Sequence, residues 1–204
     1  MVNITTDTIG FKKSIASGLL ISIGCYVFLS CQNSIVGSFL FSIALYLICK
    51  YSLLLFTGNV GYFDFRNVNS SIFKLMFVLI TNAIFCIFLG TVIGDANENI
   101  NIKAMEVVNV KLFDKNEFRV FIDSTFCGSL MFFGVDCYKT NKSELAIIYC
   151  VMVFILCGFE HCIANFAYFS IAKMLYIPES ILFMAINIIG NTLGAIVTRL
   201  IIKK

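Results

Sequence analysis

The chain has 204 residues, 59% of them hydrophobic and only 13% charged, with a mean hydropathy of +0.93. That balance excludes an ordinary soluble domain and predicts a polytopic membrane protein. The 15 basic and 12 acidic residues leave a formal charge of +3. Their scatter among the connections, rather than along one stripe, argues against nucleic acid as a partner.

In chain order, hydropathy predicts six spans, roughly 14–30, 37–56, 72–94, 118–135, 145–171 and 181–202. Each is near the ~20 residues a helix needs to cross ~30 Å of hydrocarbon. The first is read as a retained helix, because Cys31-Gln32-Asn33 follows it instead of a small-residue cleavage site. Between the third and fourth spans, segment 95–117 mixes Lys103, Lys111 and Lys115 with Asp95, Glu98, Glu106, Asp114 and Glu117. The other side of the membrane receives Lys12, Lys13, Arg66, Lys74, Lys139, Lys142, Lys203 and Lys204, so the positive-inside rule places both termini in the cytoplasm. The nine cysteines form no Cys-x-x-Cys pair and lie mostly in apolar runs. They are read as small buried hydrophobes, with no metal site and no cofactor expected.

Residues 11–94 and 118–204 read as two copies of one unit within a single transmembrane domain. Ser17-Gly18-Leu19-Leu20 answers Cys127-Gly128-Ser129-Leu130, and Ile23-Gly24 answers Phe133-Gly134, both 110 residues apart. Ile80-Thr81-Asn82-Ala83-Ile84 answers Ile189-Gly190-Asn191-Thr192-Leu193 at 109, and Asn59 answers Asn165 at 106. Three spans is an odd number, so the second copy is expected upside down, with a functional site near the midplane where corresponding helices are interrupted. Spans two and five carry the expected breaks, at Thr57-Gly58-Asn59-Val60-Gly61 and at Gly158.

The second break introduces the chain's one histidine, in Gly158-Phe159-Glu160-His161-Cys162-Ile163-Ala164-Asn165. An ionisable group at membrane depth is a functional candidate, here a member of the substrate path. Desolvation favours the neutral ring at rest, and an approaching anion would favour the protonated one. On a regular helix Glu160 would point ~100° away from His161, so it is read as a brace for the break, accepting from freed N–H groups or from a threonine or asparagine. Asn82, Asn165, Asn187 and Asn191 are read as hydrogen-bonding between helices, and Gly90, Gly190 and Gly194 as permitting close helix approach. Lys50, about 10 Å before Thr57 along a helix, either reaches an outer vestibule or snorkels to the headgroups.

The histidine fragment resembles the signature of the formate/nitrite transporter family. Leu55-Phe56-Thr57-Gly58-Asn59 resembles that family's motif at the break in its second helix, and Gly190-Asn191 with Gly194 its sixth-helix pattern. The resemblance runs through all six spans in order. It implies an aquaporin-like protomer of six helices in inverted three-helix repeats, with helices two and five interrupted, assembled as a homopentamer. His161 would be the central pore histidine, Thr57 the threonine facing it, and Phe56 part of the apolar constriction. The chain departs from the pattern at Leu54, where the family often has an acidic residue, and in lacking the fourth-helix asparagine, whose place falls at Gly128 or Phe132.

The function expected is a channel or transporter, not an enzyme, passing a small monovalent anion (formate, nitrite, hydrosulfide or a short carboxylate) with a proton past His161. The substrate path would comprise His161, Thr57, Phe56 and Asn165. Glu160, Asn59, Asn82, Asn191 and Gly158 would support it, with Lys50 in a vestibule. The expected location is the cell membrane, with lipid as surroundings. Alternatives are a neutral-solute channel, for which the one proline, Pro178, cannot supply paired Asn-Pro-Ala motifs, a non-transporting membrane protein, or an intramembrane enzyme using Glu160 and His161.

Overall fold

The computed structural model describes residues 7–202, which form nine α-helices and one short 3₁₀ turn, with no strand among the described residues. In order they are α1 (Thr8–Ser30), α2 (Ser34–Lys50), α3 (Phe56–Asn59), the 3₁₀ turn Val60–Tyr62, α4 (Val68–Ala96), α5 (Glu98–Phe113), α6 (Glu117–Asn141), α7 (Glu144–Leu156), α8 (Cys162–Ile171) and α9 (Pro178–Ile202). The described residues thus carry the all-helical class. Lys203 and Lys204, assigned to the cytoplasmic side from the charge pattern, lie outside them.

Local sequence explains where the helices begin. Side chains of Asp7, Asn33, Asn97, Asn116 and Ser143 accept from backbone N–H groups in the first turns of α1, α2, α5, α6 and α7. Such caps satisfy donors that a helix cannot satisfy itself. α1, α4, α6 and α9 are long and apolar enough to cross a membrane, while α2, α7 and α8 are apolar but of 17, 13 and 10 residues. Non-helical residues follow α2 at 51–55 and α7 at 157–161; the first stretch lies ahead of Thr57-Gly58-Asn59-Val60-Gly61, which the sequence predicts as the break but which is itself coiled into α3 and the 3₁₀ turn. Gly158 takes φ +68° in the second stretch, a left-handed conformation that glycine adopts without a Cβ penalty.

Glycines let the long helices touch. A Cβ on Gly190 or Gly194 of α9 would strike the backbone of α6, and one on Gly128 of α6 would strike Asn191. Likewise a Cβ on Gly90 would lie 2.8 Å from the Ala167 carbonyl, fixing α4 against α8. The close-approach role read for Gly90, Gly190 and Gly194 is what the packing displays. Outward faces stay apolar, for example Ile80, Ile84 and Phe88 on α4 and Ile189, Leu193 and Leu200 on α9. All nine cysteines are free, and Cys25, Cys86, Cys127 and Cys162 are fully buried.

One element was not anticipated. The charged connection 95–117 contains α5, whose Ile100, Ala104 and Val108 are buried at four-residue spacing while Ile102, Met105 and Phe113 are exposed. Helix ends also extend past the apolar runs, since α4 begins at Val68 and α6 runs to Asn141. Polar residues in these end turns keep helical hydrogen bonds while contributing nothing to hydropathy.

Candidate functional site

The two breaks meet at the centre of the helix bundle. His161 is the N-cap of α8, and its Nδ1 accepts from the Ala164 N–H at 3.0 Å. A backbone amide can only donate, so Nδ1 carries no proton and the neutral ring holds its hydrogen on Nε2. That nitrogen lies 2.8 Å from Oγ1 of Thr57 in α3, and Nε2–H donates to it. The threonine hydroxyl hydrogen is then left to turn toward a third group. The ring stacks on Phe154 with centroids 5.6 Å apart and is 3% exposed. No asparagine from α6 reaches it: Gly128 packs on the Asn191 backbone, and the Phe132 ring lies 5.4 Å from that of Tyr62.

Each break is fastened by one asparagine through the same set of bonds. Asn82 accepts from the Phe56 N–H at 2.9 Å and donates to the carbonyls of Ser14 at 2.8 Å and Leu54 at 3.0 Å. Asn191 accepts from the Cys162 N–H at 2.9 Å and donates to the carbonyls of Ser124 at 2.8 Å and Glu160 at 2.7 Å. The paired positions lie 109 (Asn82/Asn191), 110 (Ser14/Ser124) and 106 (Leu54/Glu160 and Phe56/Cys162) residues apart, the offsets read from the sequence matches. A fourth pair completes the set, Leu54 N–H to the Lys13 carbonyl and Glu160 N–H to the Asp123 carbonyl, both at 3.4 Å. Backbone groups freed where a helix stops are therefore satisfied internally, as burial away from water demands. Asn82 and Asn191 clamp breaks instead of simply joining helices.

Leu54 and Glu160 occupy matching places but differ in chemistry. Glu160 is fully buried, and its two oxygens receive the ammonium groups of Lys111 and Lys115, each at 2.5 Å. Lys115 reaches Asp123 at 2.8 Å and the Gly158 carbonyl at 2.6 Å as well, so its three hydrogens are all taken. Asn165 adds a bond to Glu160 at 3.0 Å and one to Asn187 at 2.7 Å. Of the partners expected for this brace, backbone N–H groups or a threonine or asparagine, Asn165 serves, and two lysines outside that expectation supply the rest. Nor is Glu160 turned away from His161: residues 159–161 are not helical, the ~100° rotation does not apply, and both side chains line one cavity. Replacing Glu160 with glutamine keeps the shape but leaves the nearly buried Lys111 ammonium without a counter-charge and Lys115 with Asp123 alone. The expected cost is about 3–5 kcal/mol, read as a lower unfolding midpoint in detergent.

Two cavities flank the Thr57–His161 bond. One of about 260 Å³ is lined by Lys111, Lys115, Glu160, His161, Asn165, Tyr168 and apolar neighbours including Phe28, Phe41 and Phe154. The other, of about 280 Å³, is lined by Leu55, Gly58, Asn59, Val135, Tyr138, Lys139 and Lys142. Phe56 is buried beside Thr57 and lines neither cavity. Lys50 is exposed at the end of α2 and donates to the Tyr46 hydroxyl at 3.0 Å; it is not in the lining of the second cavity, which its neighbours Cys49 and Ser52 help form. No group of three or more histidine, cysteine, aspartate or glutamate side chains suited to a metal occurs among the described residues.

The sequence reading missed Lys111 and Lys115 as partners of Glu160. Their separations of 49 and 45 residues carry no local pattern, and only three lysines sharing one segment with five acids hinted at them.

A family profile, "Formate/nitrite transporter", matches residues 4–203. Among solved structures, "Pentameric formate channel with formate bound" superposes with a TM-score of 0.76 at 21% identity, covering 94% of this chain and 92% of the other. "FNT family ion channel" superposes with a TM-score of 0.73 at 20% identity, covering 92% and 85%. The fold is therefore that of these channels. No curated protein matches.

Proposed function

Because the chain belongs to the formate/nitrite transporter family, we propose that it passes a small monovalent anion across the cell membrane together with a proton. In this reading six spans form two inverted repeats, the second and fifth spans are interrupted, both termini are cytoplasmic, and five copies assemble with one path each. The recurring asparagine clamps support the inverted arrangement, and the similarity to a pentameric formate channel supports the assembly. No metal or cofactor takes part.

The observation that carries the reading is the 2.8 Å contact of Thr57 and His161, buried between two cavities that each contain lysines. Lys111 and Lys115 are compensated by Glu160 and Asp123, so the attraction for anions falls to the cavity that carries Lys139 and Lys142. The apolar wall around His161, with Phe56 beside Thr57, then sets the barrier. Taking a bare carboxylate into dry surroundings costs several kcal/mol even after relaxation. Protonating a weak acid of pKa ~4 at pH 7 costs only ~4 kcal/mol at 1.36 kcal/mol per unit. Neutralisation is the easier route: the proton comes from water in the flanking cavities, and the Thr57 hydroxyl, accepting from Nε2–H, keeps its own hydrogen to donate a hydrogen bond to the passing anion or acid. Asn165, in the lining of the His161 cavity, belongs to the path, and Asn59, Asn82, Asn191, Gly158 and Glu160 hold the Thr57–His161 pair in place. Lys50, exposed at the end of α2 between Cys49 and Ser52 of the second cavity's lining, sits where it would add positive charge to a vestibule.

The test is flux of formate, nitrite, hydrosulfide, acetate and lactate into proteoliposomes across pH. Uptake of at least one is expected to rise as pH falls toward that acid's pKa. Thr57→Ala, which removes the acceptor of Nε2–H, is expected to lower it about tenfold, the loss of a hydrogen bond worth ~1.4 kcal/mol. Glycerol-driven swelling with no anion uptake would overturn the assignment in favour of a neutral-solute channel.

A further inference from the structure

The segment bearing Thr57 is short. α3 and the 3₁₀ turn together run from Phe56 to Tyr62, too brief to hold a fixed position by their own hydrogen bonds. The Asn82 clamp fixes the start of the segment. At its other end the carbonyls of Gly61 and Phe63 are the groups a helix leaves unsatisfied. Both accept from Nη1 of Arg199, at 3.2 and 2.8 Å, a side chain reaching from the last turn of α9. The guanidinium also lies 5.8 Å from the Tyr62 ring, and the Tyr62 hydroxyl donates to Asp136 of α6 at 2.7 Å. Gly61 sits so close to α6 and α9 that a Cβ there would meet Phe132 and the Ala195 carbonyl.

We propose that Arg199 is a positioning residue for transport: it anchors the far end of the Thr57 segment to α9 and so sets the Thr57 hydroxyl against His161. The inference rests on the pathway reading above. Arg199 touches no part of the Thr57–His161 pair and lines neither cavity. Its effect must travel through the rigid segment, five residues from Thr57 to Tyr62. A planar fork with fixed donors suits two carbonyls of one turn, which a lysine meets with a single flexible point charge.

The test is a double-mutant cycle on anion flux, normalised to assembled protein measured by size-exclusion chromatography, with Thr57→Val as the second site. Arg199→Met is expected to lower flux about tenfold in the native background and less than about twofold in the Thr57→Val background, because there is then no hydroxyl left to misplace. Arg199→Lys, which keeps the charge and N–H donors but not the planar, fixed geometry, is expected to lower flux about threefold and serves if the methionine variant fails to assemble. Equal losses in both backgrounds would overturn the positioning role. Unchanged flux in Thr57→Val alone would overturn the pathway reading itself, and the two failures are thereby told apart.

Discussion

Replacing His161 with phenylalanine is expected to abolish anion uptake while leaving the assembled protein largely intact. The substituted ring has similar size and can keep the stacking on Phe154, which is 5.6 Å away in the native site. Two things are lost. The Ala164 N–H loses its acceptor at 3.0 Å, a helix-cap change that costs ~1 kcal/mol. The more consequential loss is the Nε2–H that meets Thr57, since no other titratable side chain touches that threonine among the hydrogen bonds of the described residues. Removing one preorganised donor that orients the group at the point of charge neutralisation costs roughly 10²–10³-fold. A fall of at least about 100-fold in proteoliposome flux is therefore expected, with a shift of only a few degrees in the unfolding midpoint. Wild-type flux in this variant would sink that orienting role.

The second large effect concerns stability and separates two residues that sequence alone makes equivalent. In Asn82→Leu, the Phe56 N–H and the Leu54 carbonyl both lose their side-chain partner. In Asn191→Leu the Cys162 N–H is orphaned, but the Glu160 carbonyl still accepts from Asn187 at 2.7 Å. Each buried group left unsatisfied costs about 1–3 kcal/mol. Asn82→Leu is thus expected to lose about 2–5 kcal/mol and Asn191→Leu about half as much. Thermal unfolding of the two purified variants in one detergent checks the order. The reverse order would show that the clamps do not carry the load their bonds suggest.

Much of this frame could be read in the sequence, for identifiable reasons. Apolar runs forecast the long helices because hydropathy responds to burial in lipid. The repeat offsets forecast which asparagines would match, because the same backbone problem, a helix stopped inside the bundle, admits the same amide solution at Asn82 and Asn191. Thr57 and His161 were placed together through their motifs, 104 residues apart, and the structure brings them within hydrogen-bond distance. Three things escaped. α5 was hidden because its buried stripe, Ile100, Ala104 and Val108, is thin and dispersed among Lys, Glu and Asn. The lysine partners of Glu160 were hidden because ion pairing across a fold leaves no spacing rule. Arg199 was hidden because a lone cation near the end of a helix usually answers the helix dipole, and nothing local reveals the two carbonyls it serves.

The sealing of Nδ1 against Ala164 has a bioenergetic consequence. An imidazole passes protons from one side of a membrane to the other by taking one on one nitrogen and releasing one from the other, which requires both nitrogens to be open. Here the Nδ1 lone pair is committed to the peptide backbone and Nε2 already carries its hydrogen, so the neutral His161 ring is a dead end for a proton wire. Without an anion to carry it, a proton has no through-route at this ring. On the proposed mechanism, a cell could hold many copies of this protein in its membrane without discharging its proton gradient.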